Sequence, residues 1–152
     1  MCDHSGVLVI DGANVIGARP DGWWRDRPGA ARRLHGRLEL AVRLQVLDGP
    51  VVLVLEGEGR EGIGPTRPSL RTDRHDSLWV LHASGSADDE IVALTEEASR
   101  HGGPPGSHLE IVTVVTADRG LRRRVESLGA TVLGPSWLID ALDRIESQIP
   151  PA

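Results

Sequence analysis

The residues best placed to do chemistry together are Asp11, the pair Asp88 and Asp89, and Asp118, each set where an apolar run ends or a helical pattern begins. Asp11 closes the strand-like part of VLVIDGANVIG (Val7 to Gly17). Three residues later Asn14 adds an amide and a neutral oxygen able to orient a carboxylate or a water. Carboxylates gathered without matching bases repel one another, and the chain has no lysine to neutralise them: all seventeen of its basic residues are arginine. A hard divalent cation, Mg2+ or Mn2+, supplies what is missing, because it prefers carboxylate and water oxygens. One or two such ions activate a water and stabilise the leaving oxygen in phosphodiester hydrolysis without a side-chain nucleophile. Taken singly these acids have plainer explanations, Asp11 as a turn former and Asp88 and Asp89 as acids at a helix start. Their combination points to a site. Glu56 reads instead as a solvated loop residue.

Composition narrows the partners. A net charge of -5 argues against a chain that coats nucleic acid by bulk electrostatics, so local basic patches carry any such role. Six histidines without HxxxH or Cys/His spacing make zinc an unsuitable metal here. Cys2 is the one cysteine and has no internal partner. With no apolar run near 18 residues and no signal peptide, a soluble, cytoplasmic protein without a membrane partner is expected. The oligomeric state is left open.

The 152 residues suit one domain, long enough to bury roughly two-thirds of the surface of the unfolded chain. Gly6 to Ile10 forms the first strand, after which the chain is expected to turn through Gly12-Ala13-Asn14 before any helix. Ala18 to Arg27 reads as a loop carrying Trp23 and Trp24. From Pro28, the spacing of Leu34, Leu38, Ala41 and Gln45 predicts a helix up to Asp48-Gly49-Pro50. Val51 to Leu55 is a second buried strand. Residues 57 to 77 form a flexible, locally basic flap, and Leu78 to His82 a short third strand. Ser86 is the expected cap of a helix with Ile91, Leu94 and Ala98 inward, ending at His101 to Gly106. Ile111 to Val115, a short helix through Leu121, Val125 and Leu128 to Gly129, and Thr131 to Leu133 follow. A last helix carries Leu138, Leu142, Ile145 and Ile149 before a short C-terminal tail.

This alternation predicts a three-layer α/β/α fold with a mainly parallel sheet. Ligands in such sheets bind beyond the carboxyl ends of the strands. Asp11 and Asp118 lie at that edge, and each crossover helix returns its amino end there, bringing Asp88 and Asp89.

The segments IDGANVIG at 10 to 17, SADDEI at 86 to 91 and VVTADRGLRRRVESLGA at 114 to 130 resemble the NYN branch of the PIN-like, FLAP-like nuclease group. The resemblance implies a PIN-like sheet of strand order 3-2-1-4-5 and metal-dependent ribonuclease chemistry that leaves 5′ phosphate ends. It also implies ligand roles for Asp11, Asp88 and Asp118 with Asn14 in support; the doubled Asp88-Asp89 leaves that assignment open. Arg119, Arg122, Arg123 and Arg124 begin a helix, where cations oppose the dipole, and read as a phosphate track on RNA or as a solvated arginine face. Trp23 and Trp24, with Arg19, Arg25 and Arg27, are suited to stacking unpaired bases, or one Trp plugs the core. Thr116, two residues before Asp118, joins the candidate substrate contacts. Two other functions fit the same residues: a metal-dependent nucleotide phosphohydrolase, and a non-catalytic RNA-binding module. GxxxxG at Gly12 to Gly17 lacks the Lys and Ser/Thr of a phosphate loop.

Overall fold

Each apolar run is followed by a segment that carries the chain back to the starting edge, so the strands pair in parallel. The computed structural model describes residues 6–47, 50–66, 78–100 and 111–148. Central β1 (Gly6–Asp11) is flanked by β2 (Val51–Leu55) and β4 (Ile111–Val115), with β3 (Leu78–His82) and β5 (Thr131–Leu133) outermost. The order is β3-β2-β1-β4-β5, as expected, and every pairing among them is parallel. Ile10 pairs with Leu53 on one side and Val115 on the other. Asp11 and Thr116, the next residues, therefore leave the sheet side by side.

Strand alternation divides the core between two faces. Leu8, Ile10 and Leu53 pack against Val15 of α1 (Gly12–Gly17), Leu34 and Leu38 of α2 (Arg27–Arg43) and Leu138 and Leu142 of α5 (Pro135–Gln148). Val9, Val52, Val54 and Val114 pack on the other face against Ile91 of α3 (Ala87–Arg100) and Leu121 and Val125 of α4 (Arg119–Glu126). Cover on both faces explains why β2 is buried along its whole length. None of the described helices is long and apolar enough to cross a membrane.

Three local features differ from the sequence reading. No separate turn follows Asp11: α1 starts at Gly12, with Asp11 as its cap. A Cβ on Gly12 would stand 2.8 Å from the Val54 carbonyl oxygen, so glycine here serves close approach to β2. Helix α2 stops at Arg43, short of Asp48. Gln45 N–H donates to the Val42 carbonyl at 3.0 Å and Val46 N–H to the Ala41 carbonyl at 2.9 Å. This is a Schellman ending that holds Gln45 left-handed at φ 61°. The first part of the expected flap is built into the domain. Gly57–Gly62 is a 3-10 turn packed on α2, where Arg32 Nε–H donates to the Gly62 carbonyl at 3.1 Å. Thr66 then bridges Val80 of β3. Residues 67–77 of the flap, residues 101–110, and Ile149 with the C-terminal tail lie outside the described residues.

Candidate active site at the carboxyl edge of the sheet

Asp11 is 1% exposed, and its buried carboxylate is held by three donors. Thr116 Oγ1–H and Asn14 Nδ2–H each donate to its Oδ2 at 3.0 Å, and Asn14 N–H donates to Oδ1 at 3.4 Å. Asn14 also reaches the segment just past β4, its Oδ1 accepting the Ala117 N–H at 3.1 Å. Thr116 Oγ1 in turn accepts the Asp118 N–H at 3.1 Å. Asn14 and Thr116 thus lace the end of β1 to the end of β4 and fix which oxygens Asp11 presents. Asp118 caps α4, its Oδ1 accepting the Leu121 N–H at 2.9 Å, while the residue stays exposed.

The two acids of α3 are separated by their partners. Ser86 Oγ caps the helix as expected, accepting the Asp89 N–H at 3.2 Å. Asp89 points outward, its side chain 75% exposed and ion-paired with Arg124 of α4 at 3.1 Å. Asp88 is half-buried and stands within electrostatic reach of Asp118, Glu56 and Asp11. Of the pair, Asp88 is therefore the one turned to the other acids.

Electrostatics record the gathering. Burial pushes the Asp11 carboxyl above its ordinary value; the Thr116 and Asn14 hydrogen bonds pull it back, and the charges of Asp88 and Glu56 add to the rise. Asp88 is also raised, first by burial and then by Asp118 and Glu56, with Arg124 opposing. Glu56 corrects the sequence reading. Its Oε2 accepts the Ala87 N–H at the start of α3 at 3.0 Å, so it is an anchored part of the site instead of a solvated loop residue. Its signal in the sequence was its position just past β2, parallel to that of Asp11 past most of β1.

The side chains gathered here, Asp11, Asp88, Asp118 and Glu56, offer oxygen alone, the donor chemistry a hard divalent cation takes. Among the described residues no three acidic or histidine side chains stand at metal-ligand spacing, so the acids share an edge without a closed coordination shell. A separate cavity of about 350 Å³ between α2 and α5, lined by Leu40, Leu142 and Ile145, includes none of these acids.

The other candidate residues fall into three groups. Arg119, Arg122 and Arg123 are exposed on α4 and make no ion pair with a described side chain. Because α4 has only eight residues, Arg123 and Arg124 lie in its last turn, where the dipole favours them; the unfavourable placement applies to Arg119 alone. Trp23 and Trp24 meet edge to face at 5.8 Å in a 3-10 turn, Trp23–Arg25, with the Arg27 guanidinium 5.2 Å over the Trp23 ring. Trp24 is 49% exposed, and neither ring enters the buried core. Arg19 is taken up elsewhere: it forks onto Asp143 of α5, which Arg37 also engages at 2.7 Å.

The parallel sheet of order β3-β2-β1-β4-β5 with helices on both faces is a PIN-like α/β fold. No family model and no curated protein matches the chain. Solved structures do. The crystal structure of Rae1 (YacP) from Bacillus subtilis superposes with a TM-score of 0.64 at 19% identity, covering 93% of this chain and 76% of that one. That of its W164L mutant gives 0.60 at 18% identity, covering 94% and 78%. At such identity the likeness establishes the fold.

Proposed function

We propose that this chain is a metal-dependent ribonuclease of the NYN type that hydrolyses RNA phosphodiester bonds at the carboxyl edge of its sheet. The observation that carries the reading is the buried Asp11 carboxylate, oriented by Thr116 and Asn14 and facing the charges of Asp88 and Glu56. Asp11 also caps α1, a role that a neutral residue fills as well; burying a charge against like charges is unfavourable unless something positive arrives. Asp11, Asp88 and Asp118 would hold Mg2+ or Mn2+, which when bound supplies positive charge and an acidified water.

The side chains of the domain do the rest. Asn14 and Thr116 fix the Asp11 oxygens, and Asp118 is fixed by its own cap of α4. Arg119, Arg122 and Arg123 extend from that cap as phosphate contacts, and Trp24 offers an open aromatic face to an unpaired base. Water adds to phosphorus, the bond to the 3′ oxygen breaks, and the products are a 5′ phosphate and a 3′ hydroxyl.

The test is cleavage of labelled single-stranded and structured RNA by purified protein with Mn2+ or Mg2+. Products with 5′ phosphate ends are expected, lost in EDTA and in Asp11→Asn and Asp118→Asn. Cleavage that survives EDTA or both substitutions at full rate sinks the reading.

A further inference from the structure

Helices α2 and α5 both run from the carboxyl edge of the sheet toward its amino edge, and the groove between them holds the cavity of about 350 Å³ lined by Leu40, Leu142 and Ile145. The outward face of α2 beside it is apolar. Gly36, Leu40 and Leu44 follow one another at one-turn spacing, and Leu44 and Val46 are two of the four large apolar side chains exposed among the described residues. Gly36 stands inside the helix, where glycine is less favourable than alanine. A Cβ there would meet nothing within 4 Å, so the packing of a single chain does not ask for glycine. A bare turn of helix beside an unfilled apolar groove suits close approach by a second surface.

The charges along the groove say which surface that is. Arg37 crosses the groove and is satisfied within the chain, by Asp143 at 2.7 Å and Glu146 at 2.6 Å. This crossing fixes the two helices at one level, and one turn nearer the carboxyl edge each carries an exposed charge: Arg33 on α2 and Asp140 on α5. Neither makes an ion pair or a side-chain hydrogen bond with a described residue, and Asp140 adds only to the field on Arg19. A two-fold axis laid along the groove keeps position along it and exchanges its sides, so α2 of one copy lies over α5 of the other. Arg33 then meets Asp140 of the second copy, and the contact occurs twice. We infer that the α2/α5 face is the interface of a homodimer, with Gly36 at its centre, Leu40 and Leu44 closing over the cavity, and Arg33 paired with Asp140 between copies. The same axis keeps both acidic edges at one end of the dimer.

Sedimentation equilibrium of the full chain from about 1 to 200 µM brackets the micromolar Kd of a modest contact between copies. The mass should rise toward twice 16.3 kDa. Gly36→Glu puts a good helix former at the centre of the contact, so it should keep the wild-type circular dichroism and raise the dimer Kd at least about tenfold. Leu44→Glu, at a side chain exposed in the single chain, should do the same. Arg33→Glu and Asp140→Arg should each raise Kd roughly fivefold to tenfold, and the two together should return it to within about threefold of wild type. A chain that stays at 16.3 kDa throughout overturns the inference and leaves the groove to a small apolar molecule or another protein. A dimer indifferent to both Gly36→Glu and Leu44→Glu is built on another face and overturns it equally. If the single charge reversals weaken the dimer and the double reversal does not recover it, the copies meet in another orientation and the pairing of Arg33 with Asp140 falls.

Discussion

Thr116→Val isolates the hydrogen bonds that organise the site while leaving the packing volume nearly unchanged. Thr116 is fully buried, and its hydroxyl both donates to Asp11 at 3.0 Å and accepts from the Asp118 N–H at 3.1 Å. Its own backbone N–H bonds the Leu133 carbonyl, so the strand pairing survives the change. Losing a buried bond to an ionised acceptor costs about 1.5–3 kcal/mol, and the freed Asp118 N–H about 0.5–1 more, since Asp118 is exposed enough for water to replace part of it. The expected loss is therefore about 2–4 kcal/mol, or roughly 5–15 °C in Tm for a chain of this size. Thr116→Ser keeps the hydroxyl and gives up one methyl, about 1 kcal/mol. Urea unfolding in EDTA measures both without any metal contribution.

The pH dependence of that deficit is a second, sharper check. The Thr116 bond favours the ionised Asp11, whose carboxyl is already raised by burial. Removing the bond raises the folded value further. The valine deficit is thus largest where Asp11 is ionised and shrinks as pH falls through its folded pKa. Were Thr116→Val no less stable than Thr116→Ser near neutrality, the hydroxyl would not be holding Asp11 and the account of the network would be wrong.

Asp11 and Asp88 both have folded values above 3.8, so between 3.8 and those values the folded state binds more protons than the unfolded one. Their contribution to stability falls as pH rises through that window; Asp88→Asn should flatten this slope in urea unfolding, and an unchanged slope would separate Asp88 from the acid group. Asp143, lowered by Arg19 and Arg37, works oppositely, contributing above 3.8 and losing its contribution as pH falls toward its depressed value. Gln45→Gly should stabilise by about 0.5–1 kcal/mol in thermal melts, because glycine is at ease at φ 61° where glutamine is not; no gain would mean that the Gln45 side chain offsets its backbone. Replacing Arg122 and Arg123 with Ala should leave stability within about 0.5 kcal/mol, weaken retention of single-stranded RNA, and make the log–log salt dependence shallower by about 0.7 per contact. An unaltered salt slope would make them a solvated face.

What could be read from the residues, and what could not, follows from the range of each interaction. The strand ends were readable because an apolar run that stops at an acid is a local pattern, and parallel pairing then brings Asp11 beside Thr116 and Asp118 without further information. Neighbours on a helix diverge by about 100°, so adjacency could not tell Asp88 from Asp89. The position of Arg124 on a different helix makes that distinction. The end of α2 was missed because Gln45 carries no glycine signal; its backbone is set by the Ala41 and Val42 carbonyls that still needed donors. Glu56 was the larger miss, since its partner is a backbone N–H that no residue type announces. Such a partner is available only because β2 lies beside β1 and α3 starts at the same edge. The third acidic segment and the anchor of that segment are therefore products of one topological fact. A chain that kept Asp11, Asp88 and Asp118 but paired its strands in another order would carry the same acids without gathering them at one edge.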